Sequence, residues 1–217
     1  MKKVLLVSVC FSAALVVNAQ SSFKETFDAN SLGWTESNYE SSNGTAVIEK
    51  GVMTITSKGV NKAWSAILTV ASGQATQVGS NTYFETHCYA PLDVQKPFTI
   101  KTQVHIEKLG ADRLVGLIFN YKDDGNFYAF VFNDEQVRFM RYVDNCLVGS
   151  VAQSMKWEKK KHTDQEWTLV YDGDALQFFV DEMEIMRVRY MEMVYAGTGF
   201  YTFGKQELVV DEIEFIQ

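Results

Sequence analysis

The sequence predicts an all-β fold, two antiparallel sheets packed face to face as a sandwich. Three observations predict it. Residues 113–142, RLVGLIFNYKDDGNFYAFVFNDEQVRFMRY, read as three short β-branched and aromatic runs separated by Asp/Gly/Asn turns. Phe98–Glu107 alternates Phe98, Ile100, Thr102, Val104 and Ile106 against polar residues, the pattern of a half-buried strand. No long stretch carries the 3.6-residue periodicity of an amphipathic helix; Tyr190–Tyr195 alone would admit a helical turn.

Taken in order, the chain opens on an address. Met1-Lys2-Lys3, the apolar run Val4–Val17 and the small-residue box Val17-Asn18-Ala19 make a secretory signal peptide of residues 1–19. The run is too short to span a membrane comfortably, and Cys10 follows Val9 where lipid attachment requires a small residue. Residues 20–217 then form one domain, since an all-β sandwich of this length commonly does. The expectation is a secreted or periplasmic protein without membrane insertion.

Phe23–Asp28 is an opening strand, followed by a polar loop containing Trp34. Lys50-Gly51 turns one strand ending at Glu49 into another beginning at Val52. Trp64–Val70 reads as a strand between two loops, and Thr82–Tyr89 as another. Asp172-Gly173-Asp174 carries a type I′ turn signal between Glu166–Tyr171 and Ala175–Val180. Trp167, Leu169, Tyr171, Leu176, Phe178 and Val180 fall on one apolar face of that hairpin. Ile185–Val188, Phe200–Phe203 and Leu208–Phe215 complete the set, and Tyr195-Ala196-Gly197-Thr198-Gly199 reads as a loop between strands.

The central segment allows a register. A four-residue Lys122–Gly125 turn sets Tyr121 opposite Asn126, and a two-residue Asp134-Glu135 turn sets Asn133 opposite Gln136. One face then collects Val115, Leu117, Phe119, Tyr128, Phe130, Phe132, Val137 and Phe139, all bulky, and must be core. The opposite face collects Gly116, Ile118, Asn120, Phe127, Ala129, Val131, Arg138, Met140 and Tyr142. A ligand would sit there. Asn120, Phe127, Arg138 and Tyr142 are its candidate ligand-binding residues, because sugar rings stack on aromatic faces while amides and guanidinium groups fix hydroxyls. Trp34, Trp64 and Trp157, in or beside loops, are further stacking candidates.

Charge narrows the partners. Loss of Lys2 and Lys3 with the leader takes the formal net charge from −7 to −9, and no basic stripe remains. That argues against nucleic acid and anionic membranes as partners. Cys88 and Cys146 are the cysteines left after processing, and the sequence leaves their pairing open. His87, His105 and His162 share no zinc-site spacing, and no nucleophile elbow or phosphate loop is present.

Three segments, GLIFNYKDDGNFYAFVFN, WTLVYDGDALQFFVDEMEI and GFYTFGKQELVVDEIEFIQ, resemble the concanavalin A-like lectin/glucanase superfamily. The resemblance covers Phe98–Gln217 well and Phe23–Thr56 loosely, and implies a two-sheet antiparallel jelly roll. It does not fix a function. The glucanases of that superfamily carry E-x-D-x-E on one strand, with period-2 spacing placing three carboxylates on one face. This chain has no such triplet; Glu182/Glu184 stand at a turn and Glu212/Glu214 alternate with core residues. The resemblance also implies a structural calcium, for which Gly51 (through its carbonyl) and Asp211 match, with Glu25 a looser candidate. The expected function is therefore non-catalytic binding of an oligo- or polysaccharide on the concave sheet. The alternatives are a glycoside hydrolase of non-glucanase type acting on an unusual disaccharide, and a structural or protein-interaction module.

Overall fold

Alternation of buried and exposed side chains, strand by strand, decides the architecture. The computed structural model describes residues 21–35, 39–40, 43–59, 83–155, 164–189 and 191–217. The leader, Trp64–Val70 and Trp157 lie outside them. Among the described residues there are strands and no helix, and none that could cross a membrane as a helix. In order, the strands are β1 (Ser22–Glu25), β2 (Tyr39–Glu40), β3 (Gly44–Glu49), β4 (Val52–Lys58), β5 (Phe84–Tyr89), β6 (Phe98–Ile106), β7 (Leu114–Asp123) and β8 (Asn126–Phe132). They continue as β9 (Gln136–Val143), β10 (Cys146–Ser154), β11 (Asp164–Tyr171), β12 (Ala175–Val180), β13 (Met183–Arg189), β14 (Gly197–Phe203) and β15 (Lys205–Ile216).

One sheet of nine strands runs β13-β12-β11-β6-β15-β4-β3-β2, with β1 beside the C-terminal half of β15. The second, of six strands, runs β10-β9-β8-β7-β14-β5. Every pairing is antiparallel. The two sheets are joined by aromatic side chains: Phe130 stacks on Phe178 with ring centroids 5.3 Å apart, and Phe132 meets Trp167 edge-on at 5.4 Å. Each such ring, fully buried, contributes roughly 1.5–3 kcal/mol through removal from water. The alternating residues of Phe98–Ile106 and the six predicted on the β11–β12 hairpin all enter this core.

The predicted pairings of Val115 with Phe132, Leu117 with Phe130, Phe119 with Tyr128, and Phe130 with Phe139 are those observed. The turn after β7 differs. Asp123 pairs with Asn126 across a two-residue Asp124-Gly125 turn, and the surplus residues Asn120–Lys122 form a bulge. Asn120 adopts φ +50° in that bulge, a conformation Asn tolerates better than most side chains. In the β11–β12 turn, Gly173 alone has positive φ, so it is not type I′, which needs two. True two-residue turns with both centres left-handed are Lys50-Gly51, Asp144-Asn145 and Asp181-Glu182. Gly197-Thr198-Gly199 is the start of β14 rather than a loop, and residues 191–196 carry no helical turn.

Two more expectations are settled by position. Cys88 and Cys146 are both free. They lie on β5 and β10, the opposite edges of the six-stranded sheet, so five strand spacings of about 4.8 Å keep them far beyond disulfide reach. Trp34 is buried between Phe27 and Phe200, at 5.8 and 5.5 Å, and belongs to the core instead of a sugar platform.

Candidate functional site on the outer face of the six-stranded sheet

The side chains of the six-stranded sheet that turn away from the core form a second cluster. Ile118, Phe127, Ala129, Val131, Met140, Tyr142, Tyr201 and Phe203 are all buried there. Tyr83 lies across them, its ring 4.9 Å from Tyr201, 5.9 Å from Tyr142 and 6.0 Å from Phe127. Burial raises the Tyr83 and Tyr201 phenols well above their ordinary value and pushes Tyr142 up to about 12. The hydroxyls have partners. Tyr83 donates to the Asp124 carbonyl at 3.2 Å, and Tyr142 and Tyr201 bond to each other.

Arg138 is the exception. It sits half-buried on β9 in this face, opposite Val131 and Ala152, and the field of its guanidinium acts on the Tyr201 phenol. Its buried Nε has no hydrogen-bond partner, and among the described residues no carboxylate pairs with it. The other sequence-predicted residues are occupied within the protein. Phe127 and Tyr142 stack on each other at 4.6 Å inside the buried cluster. Asn120 turns its Oδ1 to the Val194 and Tyr195 N–H groups, accepting both at 2.8 Å, and so fixes residues 191–196 against the bulge.

At the β5 edge the face becomes polar. Glu85, His87 and Tyr89 project outward from β5 at period 2, and Tyr121 and Asp124 reach toward them from β7 and its turn. β14 lies between these elements, and contact across it is possible because its outward residues there are Gly197 and Gly199. A methyl group added at Gly197 would stand 2.2 Å from the Tyr121 carbonyl oxygen, and one at Gly199 2.2 Å from that of Thr86. With no side chain intervening, the His87 ring stacks on Tyr121 at 4.0 Å. Tyr121 donates to Asp124 Oδ1 at 2.5 Å; burial first, and this bond second, raise its phenol strongly. Sequence reasoning missed this corner. Its signals were the Glu-x-His-x-Tyr alternation and the Gly-x-Gly pair.

The predicted calcium residues lie elsewhere, at one end of the nine-stranded sheet. Extending the β1–β15 and β4–β15 registers by a step or two brings Asp211 level with Phe27 and Val52. Asp211 is exposed in a bulge of β15. Gly51 has φ +77°, and a Cβ there would meet Asp28 Oδ1 at 3.2 Å and the Thr26 carbonyl at 3.9 Å. Oxygen donors thus gather at Gly51, with Asp28 a contributor the sequence did not single out. Glu25 is not free for an ion: buried, it accepts the Phe27 and Leu32 N–H groups at 3.3 and 3.1 Å.

On the outward positions of the inner strands β7, β8 and β9, no carboxylate appears; Glu182 lies in the β12–β13 turn, Glu184 pairs with Arg187, and Glu212 with Lys24. No family model and no curated protein matches the chain. Solved structures do. A β-1,3-1,4-glucanase (lichenase) derived from a mouse hindgut metagenome is 9% identical, with a TM-score of 0.57 over 90% of this chain and 98% of that one. The Bacillus licheniformis β-glucanase is 9% identical, with a TM-score of 0.56 over 89% and 97%. The CBM2 module of the evolved Dit of Lactobacillus casei phage J-1 is 14% identical, with a TM-score of 0.51 over 91% and 96%.

Proposed function

Starting from the concanavalin A-like lectin/glucanase fold that the chain adopts, we propose that it is an exported, non-catalytic protein that binds an oligo- or polysaccharide on the outer face of its six-stranded sheet. The observation that carries this reading is Arg138. The buried Nε of this half-buried side chain is a donor left without an acceptor, an unfavourable arrangement that a ligand oxygen would relieve. Sugar oxygens are such acceptors, and the neighbouring Tyr142–Tyr201 phenol pair adds hydroxyls of its own. The similar structures include proteins named as glucanases and as a carbohydrate-binding module, which is consistent with a saccharide ligand.

The test is titration of the folded protein with a panel of polysaccharides, for the wild type and Arg138→Ala. Retained stability with binding weaker by about 1–3 kcal/mol supports the site. Equal binding by both proteins rejects it.

A second reading, hydrolysis, is favoured by one observation. Glu85 and Asp124 bring carboxylate oxygens within 4.8 Å of each other, so two carboxylates share this rim, the residue pair that glycosidases require. Release of reducing ends from a bound saccharide, abolished by Glu85→Gln, would establish it.

We further propose a structural calcium held by Asp211, Asp28 and the Gly51 and Thr26 carbonyls. Their oxygen-only chemistry suits that ion, which would tie β1, the β3–β4 turn and β15 together.

A further inference from the structure

We propose that Glu85, His87 and Asp124 bind a divalent transition-metal ion of the zinc class at the rim of the outer face. One donor atom from each lies within 4.8 Å of the others, and they come from two elements, β5 and the β7–β8 turn. Donors around a tetrahedral zinc, each about 2.0–2.2 Å from it, stand about 3.3–3.6 Å apart, so rotamer adjustment of the three side chains is needed to draw the set together.

The charges call for a cation. The two carboxylates are neighbours, yet among the described residues no Lys or Arg forms an ion pair with either. Like charges this close disfavour one another unless a positive partner intervenes. Lys122, the adjacent cation, turns to Asp123 instead.

Orientation is already in place. His87 Nδ1 lies 2.9 Å from Thr35 Oγ1 and 3.1 Å from Glu85 Oε2, while Nε2 has no hydrogen-bond partner among the described residues. The 3.1 Å between Nδ1 and Glu85 Oε2 is close to the roughly 3.3–3.6 Å that separates two donors on one tetrahedral zinc ion, so these two atoms already lie as a ligand pair, with Thr35 beside them. Tyr121 fixes Asp124 through Oδ1, which leaves Oδ2 free to coordinate. Glu85 and His87 are largely covered, with side chains 12% and 20% exposed, whereas Asp124 is open to solvent. An ion can therefore enter, and three protein ligands leave a coordination position for water or for a ligand oxygen. A mixed imidazole and carboxylate set favours zinc-class ions over calcium or magnesium, which prefer oxygen alone.

The test uses chelator-treated protein and zinc chloride alone, read by calorimetry and by thermal unfolding. The wild type should bind one zinc at this corner with micromolar affinity or better, and its melting temperature should rise. Asp124→Asn keeps the turn and the Tyr121 contact, and should weaken zinc binding at least tenfold; His87→Ala should do so too, and His105→Ala should not. Magnesium and calcium should give no response that Asp124→Asn alters. The proposal is overturned if the wild type ignores millimolar zinc. It is also overturned if Asp124→Asn binds zinc like the wild type, or if calcium shows the same dependence on Asp124.

Discussion

The two faces of the six-stranded sheet are made by alternate residues of the same strands, yet they solve burial differently. The inner face presents Val115, Leu117, Phe119, Phe130, Phe132, Val137, Phe139 and Phe200, none with a polar head. The outer face buries nearly as deeply but mixes in Tyr83, Tyr121, Tyr142, Tyr201, His87 and Arg138. Stability asks only for the first kind of face. Polar heads in the second must find partners or be costly, and all four phenols have done so where Arg138 has not. A buried guanidinium Nε left without an acceptor on the outer face is where a ligand has something to contribute.

The sharpest way to break this contrast is to damage each face in turn. Phe130→Ala on the inner face should cost about 3–5 kcal/mol, measured by denaturant unfolding. Arg138→Ala on the outer face should leave stability within about 1 kcal/mol, since no pair is broken. Equal losses from both would mean that the outer face is only a second core.

Alkaline titration sharpens the comparison further. A phenol whose folded pKa stands above its unfolded value near 10 holds its proton more tightly when folded. Its contribution is complete below that pH and is lost as pH rises through the folded value. For Tyr142, at about 12, the window is pH 10–12, and its loss is worth roughly 3 kcal/mol. Ultraviolet titration of tyrosine should show a late group of phenols ionising together with unfolding. Ordinary titration of every tyrosine near pH 10 in the folded protein would contradict the buried outer face.

The proposed calcium gives the smallest expected effect, because the residues proposed to hold it lie at one end of the other sheet. Chelation should lower the melting temperature by a few degrees, and Asp211→Ala should remove that response. A melting curve indifferent to chelator and to added calcium rejects the ion.

Much of the fold was legible because alternation and turn chemistry are local. The Asp134-Glu135 turn and the apolar alternation fixed three strands and the composition of both faces. Asn120 was misplaced because Lys122–Gly125 reads equally well as a four-residue turn. The bulge depends on Asp124-Gly125 closing a tighter one, and on the Val194 and Tyr195 N–H groups waiting for the Asn120 amide. The Glu85–His87–Asp124 corner was out of reach for a different reason. Its parts are far apart in sequence, Glu85 and His87 on β5 and Asp124 in the β7–β8 turn, and β14, from the far end of the chain, separates them. Gly197 and Gly199 were visible as a motif, but only strand order reveals that they clear a path between Tyr121 and His87.

The most direct measurement is saccharide binding by wild type and Arg138→Ala side by side, with unfolding curves taken on the same samples. Equal stability and a 5- to 150-fold loss of affinity in the variant, the equivalent of about 1–3 kcal/mol, is the predicted result. Unchanged affinity, or a variant that unfolds, would show Arg138 to be structural and the outer face to be closed to sugar.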